Sequence, residues 1–357
     1  MANIGIDFGL WNGRLSGTVE GFYRERDGLL AERFDVLVPV EADVTVGREN
    51  LNSDANIGME GSLEYTGTVG DVQYTVGGNA TYSRRRSTDV YKPRFANSWD
   101  EYRNGIEGRW TRLNWGYQIV GQFQSQEEID SYPVEIDGQD NSTLLPGDFK
   151  FEDINEDGVI NYLDQRPIGY NGAFEENPSP IFSFGLNGNV QYEGADMSFT
   201  FAGGAGYSYE RNFEIRYPFQ ANGNGPEYLY NDAWHRENPF DQSSTEWNSG
   251  KYPPIRQNAS AHSSYNSSTF WVTNVRFVRL ENLEIGYTVP TDIIDVVGAR
   301  DLRVYVRGTN LFSIDNTREF DLDPESTGRG PFGGNSGGSG LQYPKTQEYT
   351  VGVNLSF

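Results

Sequence analysis

The sequence predicts an all-β protein: an antiparallel transmembrane β-barrel. Three observations carry that prediction. Apolar and polar residues alternate strictly over long segments, the period of a strand with one apolar and one polar face. The connections alternate between very short turns and long polar stretches, the habit of outer-membrane barrels. Aromatic residues stand near the ends of the apolar faces, where such barrels place their interfacial girdles.

The elements follow in chain order. Strands are predicted at 3–10 and 14–26, joined by Trp11-Asn12-Gly13. Ile57, Met59, Gly61, Leu63 and Tyr65 form an apolar face that passes through Gly70-Asp71 to Val72, Tyr74, Val76, Gly78, Ala80 and Tyr82. In the next pair, Phe182, Phe184, Leu186, Gly188, Val190 and Tyr192 lie opposite a polar face of Ser183, Gly185, Asn187, Asn189 and Gln191. After Glu193-Gly194 the pattern repeats with Met197, Phe199, Phe201, Gly203, Ala205 and Tyr207. Further strands are read at 270–289, 301–313 and 347–357, with two weaker ones near 105–125, either wall strands or a loop hairpin. The total is about nine to eleven strands. Long polar connections fall at 27–55, 87–104, 126–180, 208–269 and 314–346. A short helix is predicted within 290–300 on the short-turn side, and a helical turn within 227–238.

Strand length can be checked against a membrane. Eleven residues at about 3.3 Å each, tilted about 40°, rise roughly 28 Å, against a lipid-facing band about 25 Å tall. Alternation alone would suit a soluble β-sandwich equally well. Loop asymmetry, aromatic placement and strand length favour the barrel.

Composition agrees. Hydrophobic residues are 36% of the chain, below the usual range of about 45–50%, so a large dry core is not expected. Yet 22 Tyr, 21 Phe and 7 Trp argue against disorder. A net charge of −23 disfavours nucleic acid as a partner. The absence of cysteine excludes disulfides and thiol catalysis. The opening "MANIGIDFGL" begins inside an alternating strand, without a signal peptide, as a piece of a longer protein would.

The last strand, "EYTVGVNLSF", points Tyr349, Val351, Val353, Leu355 and Phe357 one way and stops on the phenylalanine. A terminal aromatic on an alternating strand is what barrel-assembly machinery reads.

Four segments carry a family resemblance: "GYQIVGQFQSQEEID" at 116–130; "GDFKFEDINEDGVINYLDQRPIG" at 147–169 with "NPSPIFSFGLNGNVQYEGADMSFTFAGGAG" after it; "FVRLENLEIGYTVP" at 277–290 with "LRVYVRGTNLF" at 302–312; and "YPKTQEYTVGVNLSF" at 343–357. In this order they resemble the C-terminal part of SusC/RagA-type TonB-dependent outer-membrane transporters. The resemblance implies a bacterial outer-membrane location and a plugged barrel of about 22 strands, residues 1–357 supplying its C-terminal portion. The N-terminal plug and the first half of the barrel would lie outside this sequence. It also implies TonB as the energy source through that plug, a SusD-like lipoprotein lid, and oligosaccharides or peptides as cargo. Two other classes stay open: a siderophore or cobalamin receptor of the wider TonB-dependent family, and a secreted soluble carbohydrate-binding β-protein.

Within 126–180, "DINEDGVINYLD" has the spacing of a calcium loop. Asp153, Asn155 and Asp157 would supply positions 1, 3 and 5, the Val159 carbonyl position 7, Asn161 position 9 and Asp164 position 12. Gly158 would make the sharp turn. The alternative is an Asx-rich turn held by its own hydrogen bonds. Enzyme signals are poor. His235 and His262 lie far apart, and "GNSGG" at 334–338 sits in a glycine tract rather than a nucleophile elbow. No catalysis is expected. Trp234, Trp247, Tyr252, Tyr265 and Trp271 could stack on sugars, or could pack the 208–272 loop onto itself.

Overall fold

The structure, a computed structural model, describes residues 1–357 except 34, 37, 45, 93, 171–178, 242, 295–297 and 326–344. Nine strands form one antiparallel sheet in strict chain order. They are β1 (Ala2–Leu10), β2 (Leu15–Glu32), β3 (Arg48–Val69), β4 (Val72–Ser87), β5 (Phe182–Tyr192), β6 (Ala195–Glu210), β7 (Val272–Thr288), β8 (Asp301–Asp315) and β9 (Glu348–Ser356). Among the described residues, β1 and β9 each pair on one side only.

Register converts alternation into two different surfaces. Val351 stands opposite Val306, then Ile285, Met197, Val190 and Tyr74, an unbroken apolar row across six strands. One residue along, on the other face, Thr350, Arg307, Glu284, Ser198, Asn189 and Thr75 form a polar row. A slip of one residue would exchange the two faces, so the alternation fixes the pairing. The apolar face is bare: Val351 is 75% exposed, Val306 51% and Ile285 50%. A soluble sandwich buries that face against a second sheet; here it is the surface a membrane would cover.

The short turns have the backbone that tight hairpins need. Glu193 and Gly194 both take positive φ (44° and 82°), the primed turn that matches strand twist. At the other rim the strands outrun the predicted 27–55 loop: β2 continues to Glu32 and β3 begins at Arg48. β6 bends at a register shift between Ala205 and Tyr207, with Gly206 at φ 84°. A Cβ there would lie 2.1 Å from Ile181, so only glycine fits the approach. The weak strands near 105–125 are not part of the wall. Leu113–Gly116 pairs with Arg166–Tyr170, and Ile119–Gln122 with Phe149–Phe151, as two separate two-stranded sheets in the long connection. A four-residue helix, Thr291–Ile294, occupies the predicted place on the short-turn rim.

Among the described residues, the membrane-height part of the wall carries few buried apolar side chains. Most of the buried apolar residues lie in the long connections, where Phe123, Ile129, Phe149, Phe151, Tyr265 and Trp271 anchor one cluster. A smaller one, Tyr207, Tyr209, Val275 and Phe277, sits where β6 and β7 enter that layer.

Candidate functional site

The polar face of the wall is divided by charge. Across β6–β8, Arg303 binds Asp196 (2.9 and 2.5 Å) and Glu284 (2.7 Å), and Arg307 also reaches Glu284. Across β1–β3 the same face carries Asp7, Glu20, Glu60 and Glu64, with Glu20 directly opposite Glu60.

The loop layer is a folded body tied by buried ions. Glu210 and Arg216, 2% and 3% exposed by side chain, meet at 2.7 Å. Arg216 also donates to the Tyr265 carbonyl, and Ser267 to Glu210. Arg211, 1% exposed, lies 3.9 Å from the Phe320 ring centre and farther from those of Trp271 and Phe270, at 5.0 and 5.1 Å. A second knot centres on buried Asp148, which accepts from Arg256 (2.8 and 2.5 Å), Ser264 (2.8 Å) and the Leu145 amide (2.7 Å). His262 Nε2 lies 3.8 Å away, and burial holds its pKa below the ordinary imidazole value.

These contacts decide the fate of the loop aromatics. Trp234, Tyr252, Tyr265 and Trp271 are 5%, 4%, 3% and 0% exposed, so they pack the loop onto itself and cannot stack on a sugar. Trp247 is only half-buried, and the guanidinium of Arg236 covers its ring at 5.0 Å. The "GNSGG" tract at 334–338 lies outside the described residues.

The calcium-type loop folds as a tight Asx-rich turn. Asp153 Oδ2 accepts from Gly158 N (2.8 Å), and Gly158 takes φ 81°. Asp157 accepts from Val159 N (2.9 Å) and from Asn155 Nδ2 (2.8 Å). Asn161 caps Leu163, while Asp164, fully buried, accepts from Ile154 N and Asn161 N, both 2.9 Å. A bridge between Glu135 and Val159 docks the loop, and Ile160 packs against the larger core. Among the described residues no three His, Cys, Asp or Glu side chains converge closely enough to hold a metal. One oxygen is left over: Asp153 Oδ1 is buried without a hydrogen-bond partner.

The sequence reading missed an arginine-lined cleft at the long-loop end of the polar face. Arg24 stands opposite Asn56, which stands opposite Arg85; one step further, Arg26 stands opposite Asp54. Arg26 grips buried Asp54 at 2.8 and 2.5 Å, and Arg85 shares it at 3.6 Å. Backbone bonds lace a loop beside them: Ser87 N to Arg109 O (3.0 Å), Gly108 N to Ser87 O (2.9 Å) and Thr111 N to Arg85 O (2.9 Å). A helix, Ser98–Asn104, capped by Asn97, brings Arg103 over Trp115 at 4.4 Å. Arg109 lies between Tyr102 and Trp115. Two clefts of about 490 and 410 Å³ result, sharing Arg85, Thr111 and Arg112. The signal was legible in "YRER" and "SRRRS", where alternate arginines fall on the polar face.

No family profile matches the chain. It is 25% identical over 364 residues to TonB-dependent receptor P26 of Formosa agariphila, covering 99% of this chain and 34% of that receptor. It is 24% identical over 370 residues to TonB-dependent receptor SusC of Bacteroides thetaiotaomicron, covering 99% and 31%. The solved RagAB peptide importer in its open-open state matches with a TM-score of 0.65 at 20% identity, covering 99% of this chain and 34% of that one. The chain spans about a third of the length of the relatives it matches.

Proposed function

We infer that this chain, a stretch of a SusC/RagA-type TonB-dependent transporter, supplies barrel wall and long-loop layer to an outer-membrane importer of oligosaccharides. One observation carries this: a bare apolar face kept in register from β4 to β9, backed by a polar face, in a chain whose whole length matches such receptors. The wall is completed, and the lumen plugged, by parts of the protein outside this sequence. TonB acts on that plug. A SusD-like lipoprotein caps the long-loop rim, which faces the cell exterior. The strand ending at Phe357 is the segment that barrel-assembly machinery recognises. The chain's own residues bind and guide; no catalytic step is assigned to them.

The test is uptake of fluorescent oligosaccharides by cells carrying the complete gene, with and without TonB. Accumulation that stops without TonB supports the reading. Accumulation of peptides alone would replace the cargo, and TonB-independent uptake would remove the mechanism.

Calcium is proposed at Asp153, Asn155, Asp157, Val159, Asn161 and Asp164. The support is the unpartnered Asp153 Oδ1 together with the Gly158 turn. An ion at this loop needs the Asn155 and Asp157 side chains to turn away from each other and offer their oxygens. Asp157→Ala is expected to lose the ion and to raise proteolysis of 147–169 while the barrel stays folded. If EDTA changes neither the order nor the protease sensitivity of that segment, the Asx-turn alternative holds instead.

A further inference from the structure

The clefts at the outer end of the polar wall are positively charged in a chain of net charge −23. Arg24, Arg103 and Arg109 have no carboxylate partner among the described residues, and Asp54, the one carboxylate among the described lining residues, is already shared by Arg26 and Arg85. Surface arginines ordinarily find an acid in so acidic a protein. Among the described residues, these are instead held by backbone and ring contacts. The lacing of 108–111 onto the end of β4 fixes Arg109, and the capped helix fixes Arg103. Arg112 sits between the two clefts with a left-handed backbone, φ 62°, a conformation that costs energy for a non-glycine residue and concentrates at functional sites. Partial burial, and then the neighbouring charge of Arg109, push the pKa of Arg103 down, and a bound anion would relieve that crowding.

We propose that the two adjoining clefts form one subsite for the acidic groups, carboxylate or sulfate, of an anionic oligosaccharide approaching the lumen. This rests on the importer reading above and names its substrate class. Guanidinium forks match planar or tetrahedral oxyanions with two parallel hydrogen bonds. A saccharide is favoured over an acidic peptide because rings flank the same arginines. Tyr102 and Tyr162 are 40% and 61% exposed, and both lie within 6.4 Å of Trp99 by ring centre. A sugar face can stack there while its acidic group reaches a guanidinium. The volumes, about 490 and 410 Å³, suit one or two sugar residues each. The local positive field also draws an acidic ligand past the acidic remainder of the chain.

The experiment uses the complete transporter with three ligands: oligogalacturonate, a sulfated carrageenan oligosaccharide and a neutral galacto-oligosaccharide. Arg24→Gln and Arg109→Gln, one from each cleft, are made singly and together, and heat-modifiable mobility confirms folding. The acidic ligands are expected to bind more tightly than the neutral one and to weaken with added salt. Each substitution should weaken acidic binding about tenfold or more and leave neutral binding unchanged. The two acidic ligands tell carboxylate from sulfate preference. If neutral and acidic saccharides bind alike, or the substitutions spare acidic binding, the subsite is refuted and the importer reading stands. If poly-glutamate binds and no saccharide does, both the subsite and the oligosaccharide cargo fall.

Discussion

Replacing Glu210 by alanine isolates what holds the long-loop layer over the wall. Glu210 and Arg216 are 2% and 3% exposed, and their contact is 2.7 Å. Removing one partner leaves the guanidinium of Arg216 buried without a counter-charge, a loss of about 3–5 kcal/mol. Arg216 keeps only its donation to the carbonyls of Tyr265 and Arg211, and its Nε already has no partner. The double replacement Glu210→Met with Arg216→Met removes both charges. It leaves the Tyr265 carbonyl unsatisfied, a cost of about 1–3 kcal/mol. The double variant should therefore be more stable than the single by about 2 kcal/mol, which is nearly thirtyfold in the opening equilibrium. Hydrogen exchange over 208–271 in the complete transporter reads that equilibrium directly. A single-variant cost below about 1 kcal/mol, or a double cost equal to the sum of two singles, would refute the reasoning.

Three further outcomes follow. Leu186→Arg should destabilise the folded barrel by about 2–4 kcal/mol, because six residues from the short-turn end places it near mid-membrane, whereas Asn187→Arg on the polar face should cost under about 1 kcal/mol; urea titrations in lipid vesicles compare them. Deleting Phe357 should lower surface level and the heat-modifiable folded band while leaving ligand affinity in the assembled fraction unchanged. Because burial lowers the His262 pKa in the folded state, the unfolded chain takes up the proton first. Stability of the loop layer is then full above about pH 6.5 and declines as pH falls below it, and His262→Gln should flatten that decline in thermal melts at several pH values.

What the sequence reveals divides along the membrane. Wall strands were legible because one residue in two must be apolar, so Ile285 and Val306 mark their face without reference to any partner. Turn chemistry was equally local: Glu193-Gly194 announces its hairpin. The layer above obeys no such period. Trp271 and Tyr265 are apolar in a polar stretch, and only the long-range contacts of their neighbours, Phe270 with Phe149 and Ser264 with Asp148, show that this stretch forms a core. The same locality explains the overlong strands. Beyond the membrane the outward face of β2 and β3 can be polar, so the alternation fades before the hydrogen bonding ends. The arginine cleft joins residues 24, 85 and 109, which share no sequence neighbourhood; each half, "YRER" and "SRRRS", reads as an ordinary charged strand end.

The chain has no cysteine, so single cysteines can be placed along β5 once any cysteine in the rest of the transporter is replaced by serine. In outer membranes holding the complete transporter, a water-soluble, membrane-impermeant maleimide should label positions 185, 187 and 189 and spare 184, 186, 188 and 190, while a lipid-soluble reagent labels the reverse set. Uniform labelling by the water-soluble reagent, or the inverted pattern, would contradict the assignment of this sheet as a membrane wall with its polar face to the lumen.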